Sequence, residues 1–204
     1  MTYTEIIKES KDLIKKQGFN LALIYDNDLY RHSTNVAYLS VQLGMKLGLD
    51  LHELITLGMG ALLHDIGKIE IDPLILNKPG KLTEEEKLVL EIHPVLGFSL
   101  LRRKETEGKE RGKEREDKSI LYHFPQIVMD IVLYHHEKLD GTGYPAHKTD
   151  IPLMVQIVTV ADIYEAIRAK RVYRDANSPK DAYQILKGMS GLNPDMVEML
   201  GNLI

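Results

Sequence analysis

Apolar residues recur at spacings of three and four through most of the chain, which is the period of a helix. Ile6, Leu13 and Ile14 form a weak stripe near the start. From Asn27 onward, Val36, Leu39, Leu43 and Leu47 form a stronger one, and residues 51–63, rich in Leu, Met and Ala, predict a second helix. Thr83-Glu84-Glu85-Glu86 reads as an N-cap with acids in the first turn, and Pro79-Gly80 just before it marks a turn. Ile127, Ile131 and His135 fall on one stripe and Val128, Val132 and His136 on the next, although the β-branched content of that run also suits a strand. Residues 151–170 are apolar almost all round over their first half, which predicts a buried helix. Two short helices follow, near 179–189 and 194–203. The expected fold is all-α: one helical bundle over 25–204, preceded by an N-terminal helical extension over 1–24. Residues 102–118 stand apart, with eight basic and six acidic side chains. So near a balance of signs reads as a solvated helix extension or a loop rather than a nucleic-acid or docking surface.

Composition narrows the chemistry. A chain of 204 residues with 44% hydrophobic residues buries roughly 70% of its unfolded surface. It needs no covalent staples. Cysteine is absent, which excludes disulfides, thiolate metal sites and thiol nucleophiles. Any metal site must use His, Asp and Glu. Lys and Arg number 26 against 30 Asp and Glu, a formal charge of −4. That balance argues against binding a nucleic-acid polymer, though a small anion in one pocket remains compatible with it. The first twenty residues lack the apolar core of a signal peptide, and no run approaches the length of a membrane span. The expectation is a cytoplasmic protein with no membrane partner.

The eight histidines are placed unevenly. His64-Asp65 closes the apolar run 57–63, His135-His136 closes another, and Asp162 lies inside MVQIVTVADIYEAI. A lone buried carboxylate costs several kcal/mol unless it is paired or liganded. One His on an apolar face is more often a hydrogen-bonded core residue than a ligand. Three separate apolar helices each delivering His or Asp inward are harder to explain by packing, and a cation would neutralise the acids and use the imidazole nitrogens. Two further residues join them. His32 precedes the Val36–Leu47 stripe, with Asp28 four residues earlier on the same helix face. His93-Pro94 falls on the apolar side of the helix expected to start near Thr83. His52, His123 and His147 have polar or loop settings and receive no chemistry. The set exceeds one tetrahedral site and suits two cations bridged by a carboxylate. Mixed N/O ligation favours iron or manganese, with zinc, nickel and cobalt behind them. Two such ions about 3.5–4 Å apart are a standard device for phosphoester hydrolysis.

In order along the chain the motifs are LLHDIGKIEI, LNKPGKLTEEE, EIHPVLG, HHEKLDGTGYP, VADIYEAI and RVYR. From about residue 25 to the C-terminus the chain therefore resembles the HD-GYP domain, a branch of the HD phosphohydrolase superfamily. The resemblance places the HD pair at His64-Asp65 and the GYP triplet at Gly143-Tyr144-Pro145. It implies the metal ligands His32, His64, Asp65, His93, His135, His136 and Asp162. Asp65 would bridge two divalent cations, His32, His64 and Asp162 favouring one and His93, His135 and His136 the other. Some members hold a third metal through an acid four residues before the first His, here Asp28, which is shorter than the usual Glu. Lys68 resembles the lysine that contacts the substrate phosphate, and Arg171 and Arg174 resemble residues that hold the nucleotide.

Two departures accompany the likeness: Glu165 stands where the family usually has Asp, and 102–118 looks like an insertion. The GYP loop reads as a turn-rich brace of the His135-His136 helix, or as a contact for substrate (through Tyr144) or a protein partner. The implied function is a cyclic di-GMP phosphodiesterase yielding linear pGpG and then GMP, with Asp65 and Lys68 in the catalytic roles. Two alternatives stand beside it: an HD phosphohydrolase acting on another cyclic dinucleotide or nucleotide, and a cyclic-dinucleotide-sensing module with low turnover. A homodimer is compatible with each.

Overall fold

A computed structural model describes residues 1–114, 123–169 and 177–204, and no strand occurs among them. Helix starts are written into the sequence. Thr2 and Glu5 form a capping box on α1 (Tyr3–Lys16), Asp50 and Glu53 form one on α4 (Leu51–Leu63), and Thr83 and Glu86 form one on α6 (Glu84–Glu91). In each, two of the otherwise unpaired N–H groups at the helix start gain acceptors. Between α1 and α4 run the one-turn α2 (Leu21–Ile24) and the long α3 (Asn27–Lys46), which is capped by the Asp26 carboxylate. After α6 come α7 (His93–Glu114), α8 (Gln126–Tyr134) and α9 (Leu153–Arg168). The chain ends with α10 (Pro179–Lys187) and α11 (Pro194–Gly201), each with Pro in its first turn.

The core lies around α4, which packs on α1, α3 and α8, while α9 closes the other side against α3 and α8. Leu57, Ala61, Leu62 and Leu63 of α4 are fully buried with Ile131 and Val132 of α8 and Val155, Ile157 and Val158 of α9. The N-terminal helix shares this core through Ile6, Ile7 and Ile14.

One expectation is decided and another is corrected. The β-branched run 126–134, which read as helix with a strand as the alternative, is helical: Val128, Met129, Ile131 and Val132 all bury against neighbouring helices, and packing outweighs the weak strand preference. The helix that starts after Thr83 ends at Glu91, and His93 opens a new one. Pro94 has no N–H to donate back into α6, but it is tolerated in a first turn, so the chain restarts there. As a result α6 buries none of its residues. The 102–118 segment continues α7 as helix to Glu114, and the remainder of it lies outside the described residues.

Candidate metal centre

The centre forms where helices end. His64 caps the C-terminus of α4, and Asp65 then turns the chain into the short 3-10 segment Ile66–Glu70. That segment lies on the first turn of α7 at very close range. A Cβ on Gly67 would stand 1.9 Å from the His93 carbonyl oxygen and 2.5 Å from the Gly97 nitrogen. Only glycine lets the two backbones approach this closely, and the approach brings Asp65 beside His93. His135 caps the C-terminus of α8 with His136 next to it, while α3 supplies His32 and α9 supplies Asp162.

Seven side chains meet there in two groups: Asp65, His93, His135 and His136, and His32, His64 and Asp162. Asp65 faces both. Its Oδ1 is 3.1 Å from His93 Nε2 and 3.8 Å from His135 Nε2. Its Oδ2 is 3.2 Å from His64 Nε2, 3.5 Å from His32 Nε2 and 2.6 Å from Lys68 Nζ. Burial alone would raise the Asp65 pKa, but Lys68 and His64 hold it well below the ordinary carboxylate range.

The far sides of the rings settle which nitrogen faces inward. His64 Nδ1 donates to the Ala61 carbonyl at 2.8 Å, and His93 Nδ1 to the Leu90 carbonyl at 2.7 Å. His135 Nδ1 lies 3.2 and 3.1 Å from the carbonyls of Ile131 and Val132. A carbonyl only accepts, so each Nδ1 carries a proton, and Nε2 is the nitrogen each ring turns toward the centre. His93 Nε2 and His135 Nε2 are 3.2 Å apart, and the buried Asp65 Oδ1 beside them has no hydrogen-bond partner. Burial drives the His135 pKa well below its ordinary value, and drives that of His136 down to about 3. A divalent cation would be held where these nitrogens and the carboxylate converge, and the donor set of imidazoles and carboxylates fits one.

The second group differs. His32 Nε2 is 3.1 Å from Asp162 Oδ1 and 3.3 Å from His64 Nε2. Its Nδ1 faces the Glu165 carboxylate, whose other oxygen accepts from Asn35 Nδ2 at 3.1 Å. Burial would lower the His32 pKa, yet Asp162 and Glu165 raise it to about 10. Asp162 is lowered against its own burial by His32 and the neighbouring imidazoles.

Other sequence-predicted residues fall as follows. Tyr144 stacks on the His136 ring, with centroids 4.6 Å apart and planes 25° apart, and its N–H donates to the His136 carbonyl. A Cβ on Gly143 would stand 2.4 Å from that same oxygen, so the loop lies directly on His136. Asp28 is not brought to the centre: its side chain is 85% exposed and pairs with Arg31 at 2.9 Å. Arg171 and Arg174 lie outside the described residues. Two residues escaped the sequence reading as site components. Glu137, buried, accepts from the N–H groups of Ala146 and Lys148 at 2.6 and 3.0 Å and so braces the loop. The sequence presents Glu165 only as a departure from the family pattern. Its position three residues after Asp162, on the same face of α9, was the signal available for it.

Comparison with known proteins agrees with this architecture. The HD domain family model matches residues 18–196. A cyclic di-GMP phosphodiesterase of Thermotoga maritima is 33% identical over 85% of this chain and 44% of its own length. The 3'3'-cGAMP-specific phosphodiesterase 2 of Vibrio cholerae is 30% identical over 96% of this chain and 35% of its own length. The chain thus spans less than half the length of these relatives. Among solved structures, Bd1817 from Bdellovibrio bacteriovorus, a HDG"Y"P protein, shares the fold with a TM-score of 0.66 at 22% identity, over 98% of this chain and 63% of that one. The HD domain of the L. monocytogenes phosphodiesterase PgpH, in complex with cyclic-di-AMP, has a TM-score of 0.57 at 18% identity, over 93% of this chain and 92% of that one. With its HD pair, its inward-facing histidines and its GYP loop, the chain belongs to the HD domain family, in the HD-GYP branch.

Proposed function

We propose that this chain is a metal-dependent phosphodiesterase that opens cyclic di-GMP to linear pGpG and then to GMP. The observation that carries the reading is the convergence of His93 Nε2, His135 Nε2 and Asp65 Oδ1 in a buried site. Two divalent ions, iron or manganese, would be held by the two groups with Asp65 between them. When bound, such ions make water nucleophilic at neutral pH and offset phosphate charge. The chain's own residues do the rest. Asp65 gives one oxygen to each group. Lys68, partly exposed and already against Asp65 Oδ2, is placed to meet a phosphate oxygen. Tyr144, stacked on His136, offers a flat edge to a base, and Arg171 and Arg174 are assigned to the second phosphate. The exposed Ala146–His147 end of the loop is the surface we assign to a protein partner. The names of the relatives support a cyclic dinucleotide, and the cGAMP-specific ones from Vibrio cholerae favour a mixed dinucleotide as the second reading.

The test is turnover of cyclic di-GMP, 3'3'-cGAMP and cyclic di-AMP by protein stripped with chelator and reloaded with iron under anaerobic conditions or with manganese. Fastest hydrolysis of cyclic di-GMP is expected, with two ions per chain by elemental analysis. Faster hydrolysis of cGAMP would move the assignment to the second reading. Tight binding without hydrolysis by fully loaded protein would overturn the enzyme.

A further inference from the structure

We propose that Glu165, held by Asn35, is a positioning residue that fixes His32 for its metal and makes the His32–His64–Asp162 group a separately tunable half of the centre. This rests on the binuclear reading above. The fold orients three of the other ligand rings without help, and His136 is stacked on Tyr144. His64, His93 and His135 are almost wholly enclosed, and each anchors Nδ1 on a carbonyl of the preceding turn. His32 has neither constraint. Its side chain is 20% exposed, and its Nδ1 partner is a carboxylate from another helix, 133 residues away in the chain. Both oxygens of that carboxylate are engaged, one by His32 and one by Asn35. The four residues form a square where α3 meets α9: His32 and Asn35 lie three apart on α3, Asp162 and Glu165 three apart on α9. Asp162 reaches the Nε2 side of the ring and Glu165 the Nδ1 side. A carboxylate behind a ligand histidine fixes the ring and raises its basicity, and losing such a partner costs about 10–100-fold in metal affinity. A neutral carbonyl does less, so the two halves should respond differently to loss of their outer partners.

The experiment is a manganese titration of chelator-stripped full chain, followed by calorimetry and by electron paramagnetic resonance. The resonance distinguishes an exchange-coupled ion pair from an isolated ion. In Glu165→Ala the first ion should bind as in the unaltered chain, the second about 10–100-fold more weakly, and the spectrum should change from coupled to isolated at limiting manganese. Glu165→Gln keeps an acceptor for Nδ1–H without the charge and should fall between the two. It also carries the test if the alanine variant folds poorly. Asn35→Ala should weaken only the second ion, by less. Unchanged affinity for both ions in the Ala and Gln variants would overturn the proposal alone. Equal weakening of both ions would show that Glu165 supports the fold rather than His32. A single ion in the unaltered chain would overturn the binuclear reading and this inference with it.

Discussion

At the scale of single residues the centre turns on Asp65, whose two oxygens look into different groups of histidines. No other described side chain does this. Asp65→Ala should therefore lower turnover by about 10²-fold or more, the scale of losing a metal cluster, and should release metal as well. The helices around it are apolar without it, so the circular dichroism spectrum should remain helical. A variant that kept both its metal and its turnover would remove Asp65 from the mechanism. Arg171 poses a separate question, because in the proposed reaction the metals would serve only the phosphate being cut. Arg171→Ala should weaken cyclic di-GMP binding by about 1–3 kcal/mol, the loss of a charge-assisted hydrogen bond. Hydrolysis of bis(p-nitrophenyl) phosphate, which has no second phosphate, should hardly change. Equal losses on both substrates would make the arginine a support of the fold. The candidate ligands were legible in the sequence because His and Asp are conspicuous inside apolar runs. Glu165 and Glu137 were not, because each acts through a partner that only the fold brings to it, 133 residues away in the chain for Glu165.

At the scale of elements, periodicity located most of the helices, and the Thr83 cap marked the start of one. The break before His93 was hidden because α6 and α7 read as one apolar pattern, although Pro94 carried its signal. The 3-10 segment packs on the start of α7 at that break. Its tightness predicts that Gly67→Ala is poorly tolerated, since the new Cβ would meet backbone atoms at 1.9 and 2.5 Å and backbone cannot rotate away as a side chain can. A destabilisation of about 3 kcal/mol, at the upper end for overpacking, should appear in urea unfolding. Because the same contact sets Asp65 against His93, metal affinity should fall together with stability. Gly48→Ala is the control: its φ is +77° but nothing lies within 4 Å of its Cβ, so it should cost stability through backbone strain while leaving the metals alone.

At the scale of the whole molecule, the bundle holds two histidine environments of opposite sign, and the stability of the metal-free protein should show both. His136 is pushed down to about 3 from an ordinary 6.5, chiefly by burial, and His135 is lowered by the same cause. Below pH 6.5 the unfolded chain takes up protons there that the native chain refuses, so stability falls with pH on the acid side. His32 is raised to about 10. Its contribution is complete below 6.5 and is lost as pH rises through about 10, because there the native chain holds a proton that the unfolded one has released. Neither limb was legible in the sequence, where the histidines look alike and only their neighbours across the bundle divide them. Together the limbs predict a melting temperature that peaks close to pH 6.5 in chelator and declines on both sides. A metal on His32 Nε2 displaces that proton, so the alkaline decline should flatten when manganese is restored, while the acid decline should steepen as protons compete for the ligands. Melting curves from about pH 5 to about pH 10, with and without metal, check this. His32→Gln should abolish the alkaline decline in chelator and leave the acid one in place. A metal-free protein whose melting temperature stays level from about pH 7 to about pH 10 would show that His32 is neutral in the bundle, and that Asp162 and Glu165 do not hold it charged.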